Sequence, residues 1–196
     1  MPICLNRKIA FIHIPKTAGS TIEKALGLQN IENLYQEKKF KNYLVCPQHL
    51  TCDELSNEID LMSYDIFTIV RNPYDRLVSE FYHMKNNEWL FKLRDLPFQD
   101  FIYSILDLDP IERKYIFDGH LEPQCSFIEN WQDKTEVFKY ENLIECFEYL
   151  DSMYGPLQFG HEKKCHKEKI YNWTSELKQA VYSLYWQDFE KFEYSA

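Results

Sequence analysis

No stretch of this 196-residue sequence approaches the roughly 18 uncharged apolar residues that a membrane-spanning helix needs. The N-terminal MPICLNRKIAFIHI carries an apolar patch, but Arg7 and Lys8 interrupt it and no small-residue cleavage site follows. No signal peptide is therefore expected. The six cysteines (Cys4, Cys46, Cys52, Cys125, Cys146, Cys165) form no CxxC pair and show no zinc-finger spacing. Their even number allows three disulfides, but a chain of this length needs no such staples, so free thiols in a reducing cytoplasm are expected. Cys165 lies near His161 and His166 in a stretch that reads as a solvated loop rather than a metal site. Basic charge is also in short supply. Against 31 acidic residues stand 22 Lys and Arg, for a net charge of −9, which excludes general nucleic-acid binding. A small anion is not excluded, because a few focused cations and backbone amides hold one inside an acidic protein. Internal repeats and low-complexity linkers are absent, so residues 1–196 are expected to form a single domain. What is present is core material: 45% hydrophobic and 16% aromatic residues mark a globular chain.

Short apolar runs alternate with segments of helical period. Residues 8–14 (KIAFIHI), 43–46 (YLVC), 65–71 (DIFTIVR) and 135–140 (TEVFKY) read as strands. Helices are expected over 20–28, 51–60, from Pro73 onward, 97–106, 142–154 and 174–186. Thr51 and Glu54 have the spacing of a capping box, Asn72 suits an N-cap before Pro73, and Thr174 suits another N-cap. The alternation predicts an α/β fold with a central, mainly parallel sheet flanked by helices. Ligands in such sheets sit beyond the carboxyl ends of the strands, which is where the loops after Ile14 and Val70 leave.

The first of these loops, PKTAGST, reads as a phosphate cradle. Gly19 is expected to make a tight turn and give a ligand room. The amides opening the next helix favour an anion, Ser20 and Thr21 add hydroxyl donors, and Lys16 adds a mobile charge. The mononucleotide pattern GxxxxGK(S/T) is different, because Lys16 precedes the glycine. A plain strand–turn–helix with a surface lysine is the alternative. In the second loop, Arg71 closes a buried strand, where a charge needs a partner. It suits a phosphate gripped through two parallel bonds or, alternatively, a structural salt bridge. Ser79, two turns into the next helix, is placed to reach the same anion. Arg76 is a further candidate for that anion, with pairing to a helix neighbour such as Asp75 or Glu80 as the favoured reading.

Together, HIPKTAGST and FTIVRNPYDRLVSEFY resemble the sulfotransferases that use 3′-phosphoadenosine 5′-phosphosulfate (PAPS), especially the carbohydrate-type branch. HLEPQCSFI (120–128) resembles that family's H-x-x-P-Q segment, VFKYENL (137–143) its R/K-F/Y-E-N-L strand end, and DFEKFEYS (188–195) its D-F-x-x-F-x-Y ending. The resemblance covers nearly the whole chain, with the later segments serving mainly as marks of membership. It implies a P-loop-like nucleotide-binding fold and transfer of a sulfuryl group from PAPS to an acceptor hydroxyl or amine, with a sugar hydroxyl favoured, and without a metal. It implies that Lys16, Thr17, Ala18, Gly19, Ser20 and Thr21 hold the 5′-phosphosulfate, while Arg71 and Ser79 hold the 3′-phosphate. Lys16 is then placed to neutralise the leaving oxygen. The base is assigned to His49 in CPQHLT, past the expected strand 43–46, with Glu54 and His120 as substitutes; His13 reads as a satisfied core residue. Two departures stand out. The family's L-P-H-x-N loop is replaced by LQFGHEKKCHKEK, with His161 but no following Asn, where Lys163 and Lys164 are read as solvated charge. The membrane anchor of many relatives is not expected here. Residues 84–98, with Trp89, Phe91, Lys92 and Arg94, are candidates to line an acceptor pocket, or form an ordinary helix end. A kinase, a non-catalytic nucleotide-binding module and a protein without nucleotide remain as alternatives, and oligomeric state is open.

Overall fold

The computed structural model describes residues 3–29, 42–85, 95–160 and 173–196. Strands β1 (Ile3–Cys4), β2 (Ile9–Ile12), β3 (Asp65–Val70) and β4 (Thr135–Lys139) form one sheet in the order β1-β2-β3-β4. β1 runs antiparallel to β2, whereas β2, β3 and β4 are mutually parallel, with Ile12 opposite Thr68 and Val70 opposite Lys139. The Thr68 hydroxyl reinforces this register by donating to the Ile12 carbonyl at 2.7 Å. β2 and β3 therefore end on the same rim.

Alternation along β2 builds two cores. Ile9 and Phe11 join Phe67 and Ile69 on one face, under helices α1 (Gly19–Ala25) and α6 (Leu143–Tyr154). Ala10 and Ile12 join Ile66 and Val70 on the other, against α2 (Cys52–Ser56) and the short turn of helix over Gln124–Ile128. A separate helical layer packs α3 (Pro73–Lys85), α4 (Phe98–Leu106) and α7 (Ser175–Lys191) through Leu77, Phe81, Phe101, Ile105, Val181 and Phe189. The expected mainly parallel α/β architecture is thus present.

Several expected elements differ in extent. Residues 43–46 form no strand. The Cys46 amide is taken by the Asp118 carboxylate at 2.7 Å, and Pro47 has no amide to offer a ladder. The helix expected over 51–60 has its capping box, but it stops at Ser56, where Ser56 and Asn57 side chains bond the Asp53 carbonyl. Asn72 caps α3 through the Tyr74 amide at 3.0 Å, and Thr174 caps α7. The α5 helix (Pro110–Ile116), capped by Asp109, and the short β1 have no counterpart among the expected elements.

Candidate active site

The chain leaves β2 at Ile12 and turns through His13, Ile14 and Pro15 into the cradle. Lys16 (φ 71°) and Ala18 (φ 76°) adopt left-handed backbone angles, which cost a non-glycine residue about 1–2 kcal/mol each. The turn expected of Gly19 is therefore made by its neighbours. Gly19 has another role: a Cβ there would collide with the His13 imidazole. The Thr17 hydroxyl ties the loop to its base by donating to the Ile14 carbonyl at 2.7 Å. The amides of Thr21 and Ile22 turn back to the Ala18 carbonyl at 2.9 and 3.4 Å. The amides of Thr17, Ala18, Gly19 and Ser20 find no acceptor among the described residues. Such a run of unpaired donors on a left-handed loop is a nest for an anion.

Arg71, just past β3, meets this loop. Its Nη1 lies 3.4 Å from the Lys16 carbonyl oxygen and its guanidinium stacks on Tyr140, 4.1 Å from the ring centre. Its Nε is buried with no hydrogen-bond partner, and among the described residues it pairs with no carboxylate. An orphaned guanidinium N–H beside four free amides is a donor set that fits a multiply charged anion. Ser79 lies on the buried side of α3 and makes no hydrogen bond to the cradle or to Arg71.

The backbone at Arg71 and Asn72 is held by two side chains, Gln124 and Glu141. Gln124 accepts from the Arg71 amide and donates to its carbonyl, both at 2.8 Å. The Asp188 carboxylate fixes Gln124 in turn by accepting the amides of Gln124 and Cys125, each at 2.8 Å. Glu141 accepts the Asn72 amide at 2.8 Å and the Tyr194 hydroxyl at 2.9 Å. The segments around 120–128, 137–143 and 188–195 therefore share a structural task, bracing the loop that follows β3. Arg76 departs from expectation too. Its buried fork donates to the carbonyls of Pro15 (3.1 Å), Glu122 (2.9 Å) and His120 (2.8 Å), tying the cradle to the 120–122 segment. Glu80, one of its two expected partners, binds His120 instead.

Beside the cradle runs a row of imidazoles. Ring centres are 5.4 Å apart for His13 and His49, 4.8 Å for His49 and His120, and 5.4 Å for His120 and His83. Three of these rings carry a carboxylate on Nδ1: Glu23 for His13, Asp118 for His49 at 2.9 Å and Glu80 for His120 at 2.7 Å. Gln48 bridges His13 and Glu23. His13 is satisfied as expected, though it sits just beyond β2 rather than inside it. Burial lowers the pKa of His49 and of His120 against the pull of their carboxylates. Burial alone would raise Asp118 and Glu80, but the bonds and charge of His49 and Cys46 hold Asp118 at about 2. His120, with Lys16 and His83 behind it, does the same for Glu80. The resulting state is neutral imidazoles bonded to ionised carboxylates. Glu54, named as a substitute base, has one oxygen on the Thr51 amide and the other on the Lys114 ammonium, each at 2.8 Å.

One set of potential metal-ligating atoms occurs among the described residues. The Cys46 sulfur, His49 Nδ1 and an Asp118 oxygen lie within 4.8 Å of one another. These groups satisfy each other through hydrogen bonds, and burial followed by the Asp118 charge pushes the Cys46 thiol up to about 12. Sequence spacing does not show this set, because Asp118 comes from 69 positions beyond His49. His161, Lys163, Lys164 and the stretch 86–94 with Trp89, Phe91, Lys92 and Arg94 lie outside the described residues.

A family model described as the sulfotransferase family matches residues 3–195 of the chain. No curated protein and no solved structure matches it.

Proposed function

The chain belongs to the sulfotransferase family, and on that premise we propose that it uses PAPS as donor and the hydroxyl of a carbohydrate as acceptor. The observation that carries this reading is the meeting of two strand exits. Four unpaired amides and Lys16 lie on one side, with the Arg71 guanidinium on the other, its Nη1 3.4 Å from the Lys16 carbonyl oxygen.

In this mechanism the amides of Thr17 to Ser20, with the hydroxyls of Ser20 and Thr21, hold the 5′-phosphate. Arg71 and Ser79 take the 3′-phosphate, so that binding energy from the far end of the nucleotide aligns the reacting end. The donor supplies a sulfuryl group: the acceptor oxygen bonds to sulfur, the bond from sulfur to the 5′-phosphate oxygen breaks, and adenosine 3′,5′-bisphosphate leaves with that electron pair. Lys16 stabilises the charge appearing on the leaving oxygen. His49 takes the acceptor proton on Nε2, and burial keeps it neutral for the task. No step needs a metal ion. We place the reaction in the cytoplasm, a reading supported by the free thiols of Cys4, Cys46, Cys52, Cys125 and Cys146.

Calorimetry and thermal shift with adenosine 3′,5′-bisphosphate, ATP and AMP test the donor site. The bisphosphate should bind and raise the melting temperature well beyond the other two; equal or absent binding rejects PAPS. Incubation with PAPS and a glycan panel tests the transfer. Bisphosphate binding without sulfation of any acceptor would make the protein a nucleotide-binding module instead.

A further inference from the structure

Asp118 and Gly119 are consecutive residues in left-handed conformation, with φ of 51° and 78°. Glycine enters that region freely, but a residue with a Cβ enters it at a cost. Strain of this kind persists where the surroundings over-determine it, and it gathers at functional sites. Here it brings two acceptor oxygens of one residue to the same imidazole. Asp118 Oδ2 and the Asp118 carbonyl oxygen both lie 2.9 Å from His49 Nδ1. Asp118 Oδ1 is anchored by the Cys46 amide at 2.7 Å. Two residues on, the His120 ring stands edge-on to His49 with its own Nδ1 on Glu80.

We propose that Asp118 is a positioning residue for sulfuryl transfer: it keeps the His49 proton on Nδ1 and so leaves Nε2 as a bare lone pair for the acceptor hydroxyl. The argument is one of inventory. A neutral imidazole carries one proton, and an ionised carboxylate and a carbonyl oxygen only accept. With two acceptors on Nδ1, the proton resides there. The same reasoning fixes His120, whose Nδ1 faces Glu80, as a second imidazole with Nε2 bare. The role in catalysis rests on the sulfotransferase reading above, whereas the tautomer does not.

The titratable groups around His49 are the His13 and His120 rings, the Cys46 thiol and the Asp118 carboxylate, with Glu23 behind His13 and Lys16 behind His120. Asp118→Asn separates the possibilities. The substituted side chain can still accept the Cys46 amide through its Oδ1, but its NH2 group now faces Nδ1 and competes there with the one acceptor left, the residue's own carbonyl oxygen, so the His49 proton moves in part to Nε2. Nitrogen-15 NMR of the histidine rings in the whole 196-residue chain should show His49 as the Nδ1–H form in the wild type and a raised share of the Nε2–H form in D118N. The variant's kcat should fall by about 10²–10⁴, the range of a general base, with bisphosphate affinity nearly unchanged and the melting temperature lowered by loss of the ionised Asp118 carboxylate. Loss of the carboxylate also removes the group that raises the His49 pKa, so any residual acid limb moves to lower pH. The wild-type spectrum requires no variant to fold, and an Nε2–H signal for His49 there overturns the proposal. A D118N protein with shifted tautomer and wild-type kcat overturns the catalytic half. If the wild type transfers no sulfuryl group while its His49 is Nδ1–H, the functional reading fails and the tautomer assignment stands.

Discussion

A methyl group at position 19 has no room, and the obstacle is the His13 ring rather than backbone geometry. Gly19→Ala should therefore cost about 1–3 kcal/mol, as overpacking does, and lower the urea midpoint with little change in slope. An unchanged midpoint would mean that His13 moves aside without strain. Arg71 is the contrary case. Among the described residues its side chain supports the fold through a long contact to the Lys16 carbonyl and its stacking on Tyr140. Arg71→Ala should leave the melting temperature close to wild type and weaken adenosine 3′,5′-bisphosphate about 10–100-fold, since hydrogen bonds to charged groups are worth about 1.5–3 kcal/mol. Unchanged affinity by calorimetry would place the 3′-phosphate elsewhere. Lys16→Ala should abolish turnover while weaker bisphosphate binding persists, and a normal single-turnover rate would remove it from the leaving-group role. Residues of this kind are legible in sequence when they sit beside a strand exit, as Lys16 and Arg71 do, or in a short polar turn ahead of a capped helix, as His49 does. Asp118 is not, because its partner lies 69 positions away and the only local signal is an Asp-Gly pair that reads as an ordinary turn.

Among the elements, the segment from His120 to Cys125 works as a strut. Its carbonyls at 120 and 122 receive Arg76 from the cradle side, and the Gln124 side chain holds the Arg71 backbone on the other. Gln124→Leu would leave the Arg71 amide and carbonyl without partners, at about 1–3 kcal/mol for each buried group. Both the melting temperature and the bisphosphate affinity should drop, which sets this variant apart from Arg71→Ala. A drop in stability with undiminished affinity would show that the strut does not set the guanidinium. Helix starts are legible wherever a cap is local, as at Thr51, Asn72 and Thr174. The stretch 43–46 is not, because its strand-like composition is overruled by a carboxylate from the far side of the site.

At the scale of the whole molecule, alternating runs of period 2 and 3.6 are enough to imply a mainly parallel sheet and the rim used by both loops. They do not reveal that imidazoles from β2's exit, the 47–49 turn, α3 and the 118–120 turn form a row. That assembly makes stability depend on acidity in a stated direction. His49 and His120 have folded pKa values below the unfolded 6.5, so below pH 6.5 the unfolded chain binds protons that the folded one refuses, and stability falls with pH. Asp118 and Glu80, both held at about 2, add stability above their unfolded values of 3.8 and 4.5 and lose it as pH falls toward 2. The thermal midpoint should thus be level above pH 7 and decline continuously from pH 6.5 downward. A flat profile from pH 7 to 5 would contradict buried neutral histidines.

Lys16 and Ala18 take left-handed angles in a loop tied down by its own chain, the Thr17 hydroxyl on the Ile14 carbonyl and the Thr21 amide on the Ala18 carbonyl. A mould held by the chain's own hydrogen bonds should capture the nucleotide without prior rearrangement. In stopped-flow mixing, the observed rate should climb in proportion to bisphosphate concentration without reaching a plateau.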